Sequence, residues 1–303
     1  MKKVLLTGAT GFIGRHCLRA LADRGYEVHA VSSREANSRE AVANVVWRRA
    51  DVLDRAQTFA LVESVRPTHL LHLAWYAVPG RYWTSTENFR WVESGLNLLQ
   101  AFAGVGGRRV VAAGTCAEYE WGDDAPCSES KTPPRPATLY GACKHAAHVM
   151  LEAYAAQERL SAAWGRLFFL YGPWEHPSRL VASVTRSLLR GEAARCSSGR
   201  QVRDFLYAED VASAFVALLD SEVEGAVNVA SGRGVTLKEV VEKVGEKVGR
   251  PDLIEFGALP SPKGEPGVLV ADVSRLRDEV GWRPRYDLDA GLDRTIEWWR
   301  GAL

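Results

Sequence analysis

Three glycines within seven residues, close behind a short apolar run, constrain this chain more than any other feature. Lys3-Val4-Leu5-Leu6 is long enough for one buried strand, and Gly8-Ala9-Thr10-Gly11-Phe12-Ile13-Gly14 follows after a single threonine. His16-Cys17-Leu18-Arg19-Ala20-Leu21 then takes up helical spacing. Strand, glycine turn and helix in that order aim the N–H groups of a helix N-terminus at a pyrophosphate. Gly8 then permits the tight turn, Gly11 lets the backbone approach phosphate, and Gly14 lets the helix pack close to the sheet. The spacing is G-x-x-G-x-x-G rather than G-x-G-x-x-G, so on their own the glycines read equally well as a structural turn. Their place between strand and helix selects dinucleotide binding.

Strands and helices alternate through the first half, which predicts an α/β fold with a Rossmann-type, doubly wound parallel sheet. Glu27-Val28-His29-Ala30-Val31 reads as the second strand, a third precedes Asp51, His69 to Ala74 reads as the fourth, and Arg109 to Ala113 as the fifth. Leu167-Phe168-Phe169-Leu170 reads as one further apolar strand that Gly172-Pro173 breaks. Val78 to Arg81 and the Pro-, Ser- and Asp-rich stretch from Asp123 to Pro136 read as loops. Leu237 to Val248 has the pattern of an amphipathic helix with a solvated Lys/Glu face.

A second constellation is chemical. A tyrosine hydroxyl has a free pKa of about 10, too high to accept a proton readily near neutrality. Lys144 stands four residues after Tyr140, one helical turn along the same face, where its charge lowers that pKa. Thr115 follows the buried run Val110-Val111-Ala112-Ala113 and falls at a strand's carboxyl end. Tyr-x-x-x-Lys alone is also a common surface pair; glycine turn, Thr115 and Tyr140/Lys144 in that order are not.

With these residues in place the chain resembles the extended short-chain dehydrogenase/reductases, in their nucleotide-sugar epimerase/dehydratase/reductase branch. The resemblance runs nearly end to end, through Thr7 to Gly14, Asp51-Val52, His72-Leu73-Ala74, Gly114-Thr115 with Tyr119, Tyr140 to Lys144, Arg166 with Tyr171-Gly172-Pro173, and Arg203-Asp204-Phe205. It implies Tyr140 as proton relay, Lys144 also holding the nicotinamide ribose, and Thr115 hydrogen-bonded to the reacting oxygen. It implies cofactor contacts from Gly8, Thr10, Gly11, Phe12, Ile13, Gly14, Val52, Leu73 and Ala74. Asp51 resembles the adenine contact, with a loop-capping role as the alternative. The resemblance also places a cofactor domain in residues 1–172 and 203–232 and a substrate lobe, a smaller C-terminal α/β unit, in 173–202 and 233–303.

Composition agrees. At 303 residues the chain has ample length for a buried core, and a net charge of +1 gives no footprint for nucleic acid or anionic membrane. The apolar stretch after Met1-Lys2-Lys3 is too short for a signal peptide, and no run reaches membrane-spanning length. Cys17, Cys116, Cys127, Cys143 and Cys196 are scattered without a C-x-x-C pair, which points to thiols in a reducing cytoplasm and away from a metal site.

The turn after the second strand bears on the cofactor. An acidic residue there would bind ribose hydroxyls and repel a 2′-phosphate. This chain has Ser32-Ser33-Arg34, with no carboxylate before Glu35. Two hydroxyls and a guanidinium suit a phosphate, so NADP(H) is expected and NAD(H) is the alternative. The bland reading is a polar loop with a solvent-facing arginine.

The surroundings of Thr115 bear on the reaction. Related dehydratases carry Asp-Glu directly after this threonine; here Cys116-Ala117 stand there, and Glu118 falls one position late. Related epimerase-reductases of fucose-type sugars carry a cysteine two positions on, where this chain has Ala117. Two readings need only Thr115, Tyr140 and Lys144: reduction of a 4-keto-6-deoxy sugar of a nucleoside diphosphate, and 4-epimerisation with retained cofactor. The Ser32–Arg34 turn tilts the expectation to the ketoreductase. Relatives that merely sense NADP tend to lose the tyrosine and lysine kept here.

Substrate contacts follow from the same resemblance. Arg203 corresponds to the arginine that grips the diphosphate, with an ion pair to Asp204 or Asp210 as its alternative. Arg179 and Lys263 are further phosphate candidates. His176 is either an acid/base beside the sugar or a surface histidine, and Cys116 lies next to the reacting threonine. Phe169 replaces the usual asparagine of the Arg166-x-Phe168 pattern. Trp75, Trp83, Trp121 and Trp174 fall in or near the rim, where each either stacks on base or sugar or packs in a loop. Residues 88–105 and 138–160 look helical with apolar residues on more than one face, which in the family's manner implies a homodimer through a four-helix bundle.

Overall fold

The computed structural model describes residues 2–34, 42–122, 124–261 and 264–303; Glu35 and Lys263 lie outside them. The first part of the chain forms β1 (Lys3–Thr7), α1 (Gly14–Asp23), β2 (Glu27–Ser32), β3 (Val45–Arg49), α2 (Arg55–Val65), β4 (His69–His72), α3 (Glu87–Gly104), β5 (Arg109–Thr115), α4 (Leu139–Glu158) and β6 (Ser161–Leu167). The second part forms β7 (Phe169–Tyr171), α5 (Leu180–Leu189), β8 (Ala194–Arg195), β9 (Val202–Tyr207), α6 (Ala208–Asp220) and β10 (Gly225–Val229). It closes with β11 (Gly234–Thr236), α7 (Leu237–Val248), β12 (Ile254–Glu255), β13 (Val268–Leu269) and α8 (Leu288–Ala302).

A seven-stranded sheet in the order β10-β6-β5-β4-β1-β2-β3, parallel throughout, is the main layer. The doubly wound α/β fold expected from the alternation is present. Side chains alternate between the two faces: Val4 and Leu6 of β1 join the core beneath α1 and α6, while Leu5 joins the core beneath α2, α3 and α4. All seven residues of β5 are buried, which is why its apolar run is continuous rather than alternating.

The expected strand at Leu167 to Leu170 is two strand ends. β6 finishes at Leu167 in the large sheet, and β7 starts at Phe169 and pairs with β9. Phe168, between them, is buried against Tyr119. A continuous apolar run does not reveal that the chain changes sheets within it, because both ends are buried.

The second sheet has the order β11-β9-β13, with β7 also on β9; β8 and β12 pair separately. α5, α7 and α8 pack with it around Tyr171, Phe205, Val240, Leu292 and Ile296. After β9, α6 and β10 return to the large sheet. α7 matches the expected helix, capped by Thr236 and ended at Gly249 (φ +81°). Its polar face is not only solvated: Lys243 and Lys247 reach Asp289 and Asp293 at 3.0 and 2.8 Å. Among the described residues no helix is long and apolar enough to cross a membrane.

Candidate active site

The strand order reverses beside β1, with β4 on one side and β2 on the other, and the crevice at the carboxyl ends of these strands is where such sheets bind ligands. Gly8 turns there at φ +71°, and a Cβ on it would stand 2.8 Å from the Ala74 nitrogen. A Cβ on Gly14 would fall onto the Gly8 carbonyl oxygen. Thr7 Oγ1 ties the two strands, bonding His72 Nδ1 at 2.7 Å and accepting from Ala74 N at 3.3 Å. No side chain caps the start of α1. A turn that tolerates only glycine, leading to uncapped N–H groups, fits a dinucleotide pyrophosphate. Thr10, Phe12 and Ile13 lie in this turn, Leu73 and Ala74 directly across from Gly8.

Thr115 is the last residue of β5 and Tyr140 lies in the first turn of α4, which Thr138 caps through the Gly141 N–H at 3.1 Å. The Thr115 hydroxyl lies beside the Tyr140 phenol. Trp83 accepts the Tyr140 backbone N–H at 3.1 Å, and the Tyr82 and Trp83 rings flank the phenol at 4.8 and 5.7 Å between centroids. Burial pushes the phenol up from its ordinary value, and the Thr115 hydroxyl opposes that rise. One turn along, Lys144 is buried and donates to the Ala113 carbonyl at 2.8 Å. Burial pulls its ammonium down to about 7, with Glu118 acting in the opposite direction. Tyr140 and Lys144 share the helix turn that their spacing suggested, at the end of β5 where Thr115 lies, but the phenol stands above its ordinary value rather than below it, and Lys144, turned to the Ala113 carbonyl, is not among the groups that act on it.

The remaining candidates divide. Trp83 and Trp121 stack edge to face beside Tyr140. Trp75 instead lies under Lys144, its ring 3.8 Å from Nζ, and donates to Asn88 Oδ1 at 2.9 Å. Trp174 is exposed and packs on Arg15 and Trp298. Cys116 is buried, and burial pushes its thiol far up, so it is no thiolate. His176 is exposed, its Nδ1 held by Ser178 Oγ at 2.8 Å, as the surface reading of this residue has it. Arg179 is exposed over the Tyr82 ring.

Arg203 is buried beside Phe169 and pairs with Glu265 at 3.3 Å, not with Asp204 or Asp210. Those two aspartates accept backbone N–H groups: Ser231, Gly232 and Ala271 for Asp204, Arg285 and Tyr286 for Asp210. Asp51 follows β3 and accepts from Leu53 N at 3.0 Å, with Val52 buried beside it. Ser32 is buried and accepts the Arg34 N–H at 3.2 Å, leaving the Ser33 and Arg34 side chains exposed.

Two residues at the site escaped the sequence reading. Tyr82 carried no signal beyond an aromatic pair in a loop. Glu118, noted only as displaced from a dehydratase pattern, is wholly buried behind Thr115.

Glycine cradle, parallel sheet and Thr115–Tyr140–Lys144 together define a Rossmann-type dinucleotide enzyme. More particularly, the chain belongs to the NAD dependent epimerase/dehydratase family, which matches residues 4–230. It is 31% identical to a UDP-glucose 4-epimerase of Thermus thermophilus solved with NAD, over 99% of this chain and 100% of that one, at a TM-score of 0.87. It is 30% identical to MoeE5 solved with UDP-glucuronic acid and NAD, over 99% and 100% of the two chains, at a TM-score of 0.85. UDP-glucuronate 4-epimerase 1 of Arabidopsis thaliana is 27% identical over 98% of this chain and 76% of its own length. These relatives favour the epimerase alternative over the expected ketoreductase, and both solved complexes hold NAD rather than NADP.

Proposed function

We propose that this protein is a nucleoside-diphosphate-sugar 4-epimerase. The observation that carries the reading is the group Thr115, Tyr140 and Lys144 with, among the described residues, no accessible second acid/base pair directly after Thr115. Glu118, the nearest carboxylate after Thr115, is sealed in the interior and unavailable to a sugar. Bound nicotinamide dinucleotide supplies the hydride acceptor and donor. Tyr140 takes the proton of the C4 hydroxyl while Thr115 holds the oxygen, and returns it once the 4-keto sugar has presented its other face. Lys144, one turn along α4, would hold the nicotinamide ribose. Arg203 would meet a diphosphate only by leaving Glu265, and Trp83 and Trp121 suit the rim above the sugar.

Ketoreduction with exchangeable NADPH is the second reading, and the exposed Ser33 and Arg34 at the end of β2 favour it. Incubation with UDP-glucose, UDP-glucuronic acid and nucleoside-diphosphate-4-keto-6-deoxyhexoses, with and without NADPH, separates the two. Interconversion of hydroxyl sugars with no net NADPH loss supports the epimerase; stoichiometric NADPH consumption replaces it by the reductase. Binding of NADPH with no turnover of any sugar would make the protein a sensor.

If the turn does hold a 2′-phosphate, Arg34→Ala should lower NADPH affinity about 10–150-fold and leave NADH affinity nearly unchanged, the scale of a charge-assisted contact. An unchanged ratio of kcat/KM for the two cofactors leaves NAD as the working cofactor. A twofold homodimer through α3 and α4, in a reducing cytoplasm, completes the proposal; Phe89 on α3 and Val149 on α4 are exposed apolar residues that such a bundle would cover. Light scattering at micromolar concentration should give twice the chain mass.

A further inference from the structure

Glu118 lies three residues beyond Thr115, and the chemistry above makes no use of it. Its Oε1 accepts the Thr115 backbone N–H at 2.8 Å and Trp164 Nε1 at 2.9 Å, and its Oε2 accepts Arg166 Nε at 3.0 Å. Thr115 answers by capping the short turn Cys116–Glu118, its Oγ1 accepting from Ala117 N at 3.2 Å. Gly114 makes room for the arrangement: a Cβ there would stand 2.6 Å from Glu118 Oε1 and collide with Trp164 Nε1. The Trp164 ring in turn faces Lys144 Nζ at 5.8 Å. Glu118, His145 and His148 bring one ligand atom each within 4.8 Å of one another, as a metal site would. Arg166 already supplies the cation, its Nη2 lying 3.5 Å from His148 Nδ1 while its Nε holds Glu118.

A carboxylate removed from water needs several donors and a cation to offset desolvation. Here those donors are the backbone of the reacting threonine and the two β6 side chains beside it. We propose that Glu118 is a positioning residue of the proton relay: it fixes the Thr115 main chain, and so the hydroxyl that meets Tyr140, and it is the negative charge that faces Lys144 from behind β5. This rests on Thr115, Tyr140 and Lys144 being the reacting groups.

Glu118 is the group that acts on Lys144, whose own charge opposes the protonation of His72 on β4. The groups acting on Tyr140 are Tyr82, Thr115, Cys116 and Glu118. Arg166 from β6 and His148 from α4 stand behind Glu118. Its negative charge raises both the phenol and the ammonium, so its removal lets both lose their protons at lower pH.

Two variants separate charge from reach. Glu118→Gln keeps an acceptor for Thr115 and Trp164 and loses the charge, so the whole profile of kcat against pH should move to lower pH. Glu118→Asp keeps the charge and loses the reach, so kcat should fall about 10–100-fold, the scale of a slight misplacement, with KM and the profile in place. Turnover is followed with UDP-glucose and NAD. Tyrosinate absorbance of the enzyme, with and without NAD, reads the shift without turnover once the Tyr140→Phe trace is subtracted. Should Glu118→Gln fail to fold around an unpaired Arg166, Glu118→Gln/Arg166→Gln removes that charge as well and should show a shift in the same direction but smaller. An unmoved profile in the Gln variants with wild-type kcat in Glu118→Asp overturns the proposal. Normal turnover by Tyr140→Phe would instead overturn the catalytic reading on which it rests.

Discussion

The loops that leave β5 and β7 are built in opposite ways. After β5, Thr115 to Tyr119 are all buried and their polar groups are engaged: Thr115 with Ala117 N, Glu118 with three donors, and the Tyr119 hydroxyl with Asn228 Oδ1 at 2.7 Å. After β7, Gly172 turns at φ +151° and Trp174 takes φ +70°, a conformation costly for a non-glycine residue, while its ring lies exposed. Glu175 is buried there, its Oε2 has no hydrogen-bond partner among the described residues, and burial pushes its carboxyl up to about 8. His176 and Arg179 face outward. The first loop is fixed before any substrate arrives, which suits the proton-transfer centre proposed there. The second holds strain and a carboxyl with one oxygen left unpaired among the described residues.

The largest test of that contrast compares reaction groups with rim groups. Tyr140→Phe should lower kcat about 10²–10⁴-fold with cofactor affinity within a few-fold, because only the proton carrier is lost. Lys144→Ala should weaken both turnover and cofactor binding. His176→Ala in the β7 loop should leave kcat within about three-fold, since an exposed group is easily replaced by water; a loss as large as that of Tyr140→Phe would break the contrast.

The smallest expected effect sharpens it. The Glu175 carboxyl titrates higher in the folded chain than its ordinary 4.5, so between about pH 4.5 and about pH 8 the folded state binds more protons and stability falls as pH rises. Glu175→Gln removes that slope. Its Tm should exceed wild type by about 2–5 °C at pH 8.5 and match it near pH 4, as thermal unfolding followed by circular dichroism would show. A variant less stable than wild type at pH 8.5 would mean that the carboxylate has a partner after all.

What could be read from the sequence was local. The Gly8–Gly14 turn, the Tyr140/Lys144 helix pair and the Leu237–Val248 helix depend on spacing within a few residues, and each stands where that spacing placed it. Other features needed distant partners. Glu118 meets Trp164 and Arg166 only because β5 lies beside β6 with Ala112 opposite Trp164 and Gly114 opposite Arg166. Arg203 found Glu265 rather than its sequence neighbours, and Trp75 settled against Lys144. The break at Phe168 likewise depends on which sheet each strand end joins. Backbone turns and helix faces are set by residues adjacent in the chain, so the amino-acid order alone determined the glycine turn and the Tyr140/Lys144 pair. Burial and charge pairing are set by strand register across the sheet, and the tertiary structure alone decided which carboxylate stands behind Thr115 and which keeps an unpaired oxygen.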